Sequence, residues 1–223
     1  MRPDLRPLRN LSCALCLLAS APLAALAQSS DAGSLPERFQ IEGSVLIYDT
    51  ENVPQGVSAS ISNEDVDVLH AILQDNSGIS TLRLNSDGGS TWASRQLADI
   101  VVDFGLDTEV DGVCASSCAR VFLAGKSRSM TRGSRIGFHQ FWWSATAIRE
   151  YYERDAAAEG WNDPFEFTSW VYQDTQFEIH EQLLFMVRRG VDPVFAIETL
   201  NTRPQDVWYP YRPRLLAAGV LTR

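Results

Sequence analysis

Basic residues and histidines are scarce in this sequence. It contains a single lysine, Lys126, and three histidines, and its formal net charge is −9. A negative surface repels phosphate backbones and anionic lipids, and no run of basic residues offsets it, so nucleic acid and anionic membranes are excluded as expected partners. Cysteines without a matching histidine pair make a poor metal site, and neither a metal nor a cofactor is expected.

Long apolar runs are also lacking, except near the N-terminus. Three arginines precede an apolar stretch at 11–26, and Ala-Leu-Ala at 25–27 fits a signal-peptidase site. The stretch is short for a membrane span, which needs about 20 residues. We therefore expect residues 1–27 to be a cleaved signal peptide rather than a retained anchor. The protein is then periplasmic or secreted, with no stable membrane insertion after cleavage.

The remaining composition is that of an ordinary globular domain. Hydrophobic residues make up 45% and charged residues 21% of the sequence, and no internal repeat is visible. Residues 28–39 are small and polar, which indicates a flexible leader. Residues 40–223 predict a single domain that is long enough to bury a substantial core.

Strand-like and helix-like segments alternate, which predicts an α/β fold with βαβ crossovers. Expected strands cover 45–48, 79–84 and 108–113, followed by a short pair at 128–130 and 135–138 and a last strand at 206–209. Expected helices cover 62–74, 90–104, 117–125, 144–160, 165–189, 192–200 and 214–218.

One serine has the spacing of a nucleophile elbow. Residues 114–118 read Cys-Ala-Ser-Ser-Cys, with Ser116 centred between two small residues. Because such a turn puts the hydroxyl on a sharp strand-to-helix corner, its neighbours two positions away must be small. The alternative interpretation is an ordinary helix N-cap serine, and Ser117 is the rival nucleophile.

A Gly-Gly turn precedes this serine and a histidine follows it. Residues 82–90 form an apolar strand that ends in Asp-Gly-Gly-Ser, and such glycines expose backbone N–H groups that could hold an oxyanion. His139 ends an apolar segment 23 residues after Ser116 and is the candidate base. A Ser–Lys dyad is not expected, because Lys126 lies about 15 Å along a helix from the serine.

The order of Gly-Gly turn, serine and histidine resembles the Clp peptidase/crotonase superfamily. Residues 85–89 look like its Asn-Ser-Pro-Gly-Gly turn, 115–119 like its Ala-Ser-Met-Gly-Ala segment, and 135–140 like its histidine strand. The resemblance covers roughly residues 40–140. Together with the signal peptide, Cys-Ala-Ser-x-Cys looks most like a periplasmic branch of that superfamily.

The resemblance implies a fold and a set of roles. The fold would be a single-domain, Clp/crotonase-like repeated ββα spiral, and the activity that of a serine peptidase on a peptide or protein substrate. Ser116 would be the nucleophile and His139 the base, the N–H groups of Gly89 and Ser117 would form the oxyanion hole, and Gly88 would shape the turn. The alternative is a catalytically degenerate binding or assembly module. Acyl-CoA chemistry is not expected, because coenzyme A carries phosphates and the chain is acidic.

The third member of the triad is less well defined by the sequence. Thr199 falls near the position where the Clp peptidase has its acid, and Asp87 replaces the family's proline in the turn. Asp206 is the first choice for the acid, because a strand end can lie rigidly beside His139. Glu198 and then Asp192 follow, although an aspartate that precedes a proline more often caps a helix.

Two further expectations concern cysteines and assembly. Cys114 and Cys118 flank Ser116 in an export compartment where disulfides persist, and their Cα atoms can lie within the roughly 7 Å that a disulfide allows. They are otherwise two small buried residues. The superfamily's rings imply a homo-oligomer, and the aromatic helix at 165–189 offers a face for one, unless that face packs on its own sheet.

Overall fold

A computed structural model describes residues 36–223 of the chain. The strands are β1 Phe39–Glu42, β2 Val45–Asp49, β3 Thr81–Ser86, β4 Asp107–Ala115, β5 Arg128–Met130 and β6 Arg135–Gly137. The helices are α1 Glu64–Asp75, α2 Thr91–Asp103, α3 Ser117–Leu123, α4 Ala145–Glu159, α5 Pro164–Arg188, α6 Pro193–Glu198 and α7 Arg212–Ala217. The expected signal peptide at 1–27 lies outside the described residues.

A mostly parallel sheet organises the described chain. Its order is β1-β2-β3-β4-β5, with β1 antiparallel to β2, the other neighbours parallel, and β6 also paired with β4. The helices α1, α2 and α3 connect successive parallel strands, so the predicted α/β class and its βαβ crossovers are confirmed. Alternate strand residues such as Leu46, Leu82 and Val110 are fully buried.

The long strand β4 carries two different neighbours along its length. Residues Thr108–Val110 pair with β5, and Val113–Ala115 pair with β6. The sequence predicted that β5 and β6 would pair with each other, which is wrong. Gly112 separates the two halves of β4 with a positive φ of 114°, and the register with β3 shifts at the same level. One strand can therefore hold two short parallel neighbours in succession.

Two boundaries differ from the sequence prediction. Strand β1 begins at Phe39, inside the segment at 28–39 that the sequence predicted as a flexible leader, and Phe39 stacks on Tyr48 in the core. At the other end, 206–209 does not form a strand, since only a single antiparallel bridge joins Phe138 to Trp208. Pro210 has no N–H to donate two residues after Trp208, and on the other side of the bridge the N–H of Gln140 donates to Thr202, so the pairing stops at one bridge.

Two arginines close the C-terminal end of α3. Arg189 donates to the carbonyls of residues 123–125, and Arg128 donates to two of the same carbonyls and to those of Gly219 and Val220. These contacts supply the acceptors at a helix end with the donors they lack. Burial, together with the nearby charge of Arg189, lowers the pKa of Arg128 to about 10. Arg128 thus connects the C-terminal end of α3 to residues near the end of the chain.

The helices α4 and α5 form an aromatic layer. Aromatic rings of Tyr151, Trp161, Phe167 and Trp170 contact one another between these helices. No helix within residues 36–223 is both long enough and apolar enough to cross a membrane.

Candidate active site

The Gly-Gly turn follows β3 at the edge where the carboxyl ends of the parallel strands meet. The buried hydroxyl of Ser86 accepts a hydrogen bond from the N–H of Gly88 at 3.1 Å and another from the Thr50 hydroxyl at 2.8 Å. The side chain of Asn85 bridges two strands, because it donates to Asp49 and accepts from the N–H of Val113. The polar residues Asn85 and Ser86 therefore hold the turn, whereas the side chain of Asp87 is exposed.

Both glycines of the turn are required by their surroundings. Gly88 has a φ of 105°, and a Cβ atom there would lie 2.8 Å from the carbonyl oxygen of Ala115 and 2.9 Å from the Cβ of Ser116. Gly89 has a φ of 153° and packs against the backbone of Ile61. No side chain fits at either position, so the turn lies directly on the serine segment.

Ser116 has the backbone conformation of a nucleophile elbow. Its φ of 55° and ψ of −126° make it the single non-glycine residue with a positive φ among residues 36–223. Such a conformation costs roughly 1–3 kcal/mol and marks functional sites. Ser116 precedes α3, but its side chain makes no cap hydrogen bond, which argues against the N-cap interpretation.

The predicted disulfide is formed. Cys114 and Cys118 are bonded across the elbow, with their Cα atoms 5.3 Å apart, and both are fully buried. The bond joins the end of β4 to the first turn of α3. It thereby encloses Ser116 in a short covalent loop that limits how far the strand and helix can separate.

His139 lines the same cavity as Ser116. This cavity has a volume of about 140 Å³, and residues 138–142 form one of its walls. The Nδ1 atom of His139 lies 2.7 Å from the carbonyl oxygen of Gln140. Because a carbonyl only accepts, Nδ1 carries the proton and a neutral ring has its lone pair on Nε2, the atom that a serine base needs. No hydrogen bond within the described chain yet joins the Ser116 hydroxyl to this ring.

One candidate oxyanion donor is already occupied. The N–H of Gly89 donates to the side-chain oxygen of Ser117 at 2.7 Å. The sequence predicted a role for the Ser117 backbone but missed its hydroxyl. An oxyanion could bind Gly89 only after that hydroxyl moves. Ser117 itself is nearly buried and belongs to the same cavity wall.

None of the three candidate acids lines the cavity that holds His139. Asp206 is exposed in a turn and does not line the cavity, so its assignment as the third member is not supported. Glu198 binds Arg214, and Asp192 caps α6 through the N–H of Phe195, as its position before a proline suggested. Thr199 does line the cavity, and the sole partner of His139 Nδ1 is a neutral carbonyl.

The sequence analysis missed an arginine that lines the cavity. Arg120 lies four residues after Ser116 and lines the cavity, donates to Gln182 at 2.6 Å and lies over the ring of Phe185. Burial, and then the nearby charge of Arg95, lowers the pKa of Arg120 to about 10. The sequence did contain a signal for this residue, because Arg120 is the one charged residue in the otherwise largely apolar segment at 117–125. The exposed Lys126 does not line the cavity.

A wider groove of about 650 Å³ adjoins the cavity. The two share Gly89, Thr91, Phe141 and Trp142. Six aromatic side chains line the groove: Trp92, Phe141, Trp142, Trp143, Tyr151 and Trp170. A chain extending from the cavity would therefore lie against aromatic surfaces. No group of three or more metal-ligating side chains occurs within residues 36–223.

Comparison with known proteins found similar chains among solved structures. No protein-family model and no curated protein matches the chain. Among solved structures, a mutant of ClpP1 from Listeria monocytogenes is similar, with a TM-score of 0.47 and 16% sequence identity. The match covers 73% of this chain and 84% of that chain. The interpretation of the site therefore depends on the geometry of residues 85–140 in this chain.

Proposed function

We propose that this protein is an exported serine hydrolase of the Clp/crotonase type that acts on peptides or proteins. The observation that carries this proposal is the positive φ of Ser116 in a cavity shared with His139. A hydroxyl held on a strained elbow beside an imidazole is the arrangement needed for acyl transfer. Peptides are the proposed substrate class because the three sequence motifs resemble those of a peptidase.

The proposed reaction has two stages. His139 Nε2 takes the proton of Ser116 as its oxygen attacks the substrate carbonyl, and the negative charge develops near the N–H groups of Gly89 and Ser117. The protonated ring then gives its proton to the leaving amine as the C–N bond breaks, which leaves an ester on the serine. Water, activated by the same ring, hydrolyses that ester and restores the site.

Two features predict a slow enzyme. A neutral carbonyl orients His139 correctly but stabilises its protonated form less than a carboxylate does, and loss of the acid in a serine protease can cost about 10⁴ in turnover. The Ser117 hydroxyl must also rotate away from Gly89 before that donor is free. We therefore expect acylation by a reactive probe to be easier to detect than peptide turnover.

A fluorophosphonate that labels active-site serines tests the proposal directly. Purified protein without residues 1–27 should be labelled, and Ser116→Ala should abolish labelling. Ser117→Ala should keep it, since only the Ser116 hydroxyl is placed on the elbow. Labelling that survives Ser116→Ala, or that only Ser117→Ala removes, would refute the assignment.

The second candidate function is a non-catalytic binding or assembly module. It is favoured by the occupied Gly89 donor and by the lack of a carboxylate on the cavity wall. Under this alternative, Ser116 would not react with the fluorophosphonate at any pH, although the disulfide and fold would be intact by mass spectrometry and circular dichroism.

The proposal includes a repeated ββα spiral, a periplasmic or secreted location and self-association. Support for self-association comes from α5, where Phe177 is 60% exposed while Phe185 packs against the core. The aromatic face that the sequence predicted on this helix is thus only partly buried within one chain. Light scattering at micromolar concentration tests the assembly, and a monomeric mass would refute it.

A further inference from the structure

We propose that Arg120 binds a carboxylate of the substrate within the cavity that holds Ser116 and His139. This inference rests on the proposed function and adds a substrate feature to it. The carboxylate would come from a free peptide C-terminus or from an acidic side chain.

The first argument is that Arg120 lacks an anionic partner. Within residues 36–223 it forms no ion pair with a carboxylate, and its buried Nε has no hydrogen-bond acceptor. Gln182 takes one of the five guanidinium donors and Phe185 covers one face of the group. The side chain of Arg120 is half-buried, so its guanidinium has lost part of its hydration without gaining a counter-charge, and a bound carboxylate would stabilise it.

The second argument concerns the neighbouring charges. Asp99 on α2 and Glu181 on α5 act on Arg120 only at a distance, whereas Arg95 on α2 repels it and is itself paired with Glu178. The nearby acids therefore leave the cavity side of Arg120 open. A carboxylate can accept two parallel N–H donors from the planar guanidinium, a geometry that an amide cannot match.

The third argument is the size of the cavity. The cavity of about 140 Å³ is below the range of about 300–1,000 Å³ that holds larger ligands. It has room for a short group such as a terminal residue or a small acidic side chain. The adjoining aromatic groove of about 650 Å³ can take the remainder of a peptide. The position of Arg120, one turn along α3 from the elbow, places the carboxylate within a residue or two of the reacting carbonyl.

The experiment measures binding to the Ser116→Ala protein by calorimetry, so that it does not depend on catalysis. One pair of ligands is N-acetyl-alanyl-alanine and its C-terminal amide. The other pair is N-acetyl-aspartic acid amide and N-acetyl-asparagine amide, which differ only in the side-chain charge. We expect one acid to bind at least about tenfold tighter than its neutral partner, as hydrogen bonds to a charged group predict.

Variants assign that preference to Arg120. Arg120→Met, which keeps an unbranched side chain against Phe185, should abolish it. Arg120→Lys should retain part of it, and Arg188→Met is the matched control, since it removes an exposed positive charge from the end of α5. If neither acid binds tighter than its neutral partner, or if the preference survives in Arg120→Met, the proposal is wrong. A failure of fluorophosphonate labelling would instead overturn only the hydrolase assignment.

Discussion

Backbone geometry holds the serine half of the candidate site, whereas a single side-chain hydrogen bond orients the histidine half. Gly88 lies against the Cβ of Ser116 and the backbone of Ala115 and Ser117, and the disulfide fixes the strand and helix on either side of that serine. The backbone on either side of His139 is bonded to Trp208 and Thr202, but its ring is oriented by the neighbouring carbonyl of Gln140. The two halves should therefore tolerate substitutions differently. Small changes in the serine half should reduce stability and labelling, whereas a suitable substitution in the histidine half should raise the labelling rate.

The largest effect should come from a methyl group in the serine half. Gly88→Ala places a Cβ against Ala115 and Ser116 at a positive φ, so we expect a loss of more than about 3 kcal/mol in the free energy of unfolding, together with loss of labelling. Gly133→Ala is the control, because its φ is also positive but nothing lies near its Cβ; it should cost only about 1 kcal/mol. Denaturant unfolding measures both, and equal losses would contradict the contact argument.

The next largest effect on the labelling rate is expected at Ser117, whose hydroxyl occupies the N–H of Gly89, the proposed oxyanion donor. Ser117→Ala should free the N–H of Gly89 and raise the rate of Ser116 labelling, by up to the roughly 100-fold that one oxyanion donor contributes. Ser94→Ala removes a different hydroxyl from the same cavity and should leave the rate unchanged. An unchanged rate in Ser117→Ala would mean that this hydroxyl does not limit the site.

A smaller increase in the labelling rate is expected when a carboxylate is introduced into the histidine half of the site. Thr199→Asp introduces a carboxylate on the cavity wall and should raise the labelling rate about tenfold, less than the full effect of a triad acid because burying the charge costs energy. Thr199→Asn has the same shape without the charge and should show no gain. Asp206→Asn should leave the rate unaltered; a clear loss would restore Asp206 as the partner.

The smallest expected effect is the pH-dependent contribution of Asp49, which is bonded to Asn85 before the Gly-Gly turn, to the free energy of unfolding. Burial alone would raise the pKa of Asp49, but hydrogen bonds from Asn52, Asn85 and the N–H of Glu51 bring it below its ordinary value. The folded state therefore favours the charged form, and this stabilisation is lost as pH falls through the lowered pKa. Because solvent screens the group, Asp49→Asn should cost under about 1 kcal/mol at pH 7. The difference between the two proteins should shrink below about pH 4, and a constant difference across pH would contradict this linkage.

The sequence predicted those parts of the molecule that follow from local pattern. Periodicity gave the βαβ order, and the spacing of small residues around Ser116 gave the elbow and its disulfide. Contacts between distant residues were not visible in the same way. The partner of His139 is a backbone carbonyl, which leaves no trace in residue type. The pairing of β5 and β6 with β4 depends on the bend at Gly112, and the Ser117 contact with Gly89 joins residues 28 positions apart.

The docking of Arg128 on Gly219 and Val220 has a consequence for the order of folding. These hydrogen bonds join residues about 90 positions apart, so Arg128, which also donates to the carbonyls at the end of α3, gains its remaining acceptors only after the final segment has docked. Contacts of such long sequence separation form late, because the intervening chain must first lose its entropy. In an incompletely synthesised or partly unfolded chain, Arg128 would lack these acceptors and would be less firmly held against the helix that follows the serine elbow. We expect hydrolase competence to appear last in refolding, after the sheet has formed, as labelling at successive refolding times would reveal.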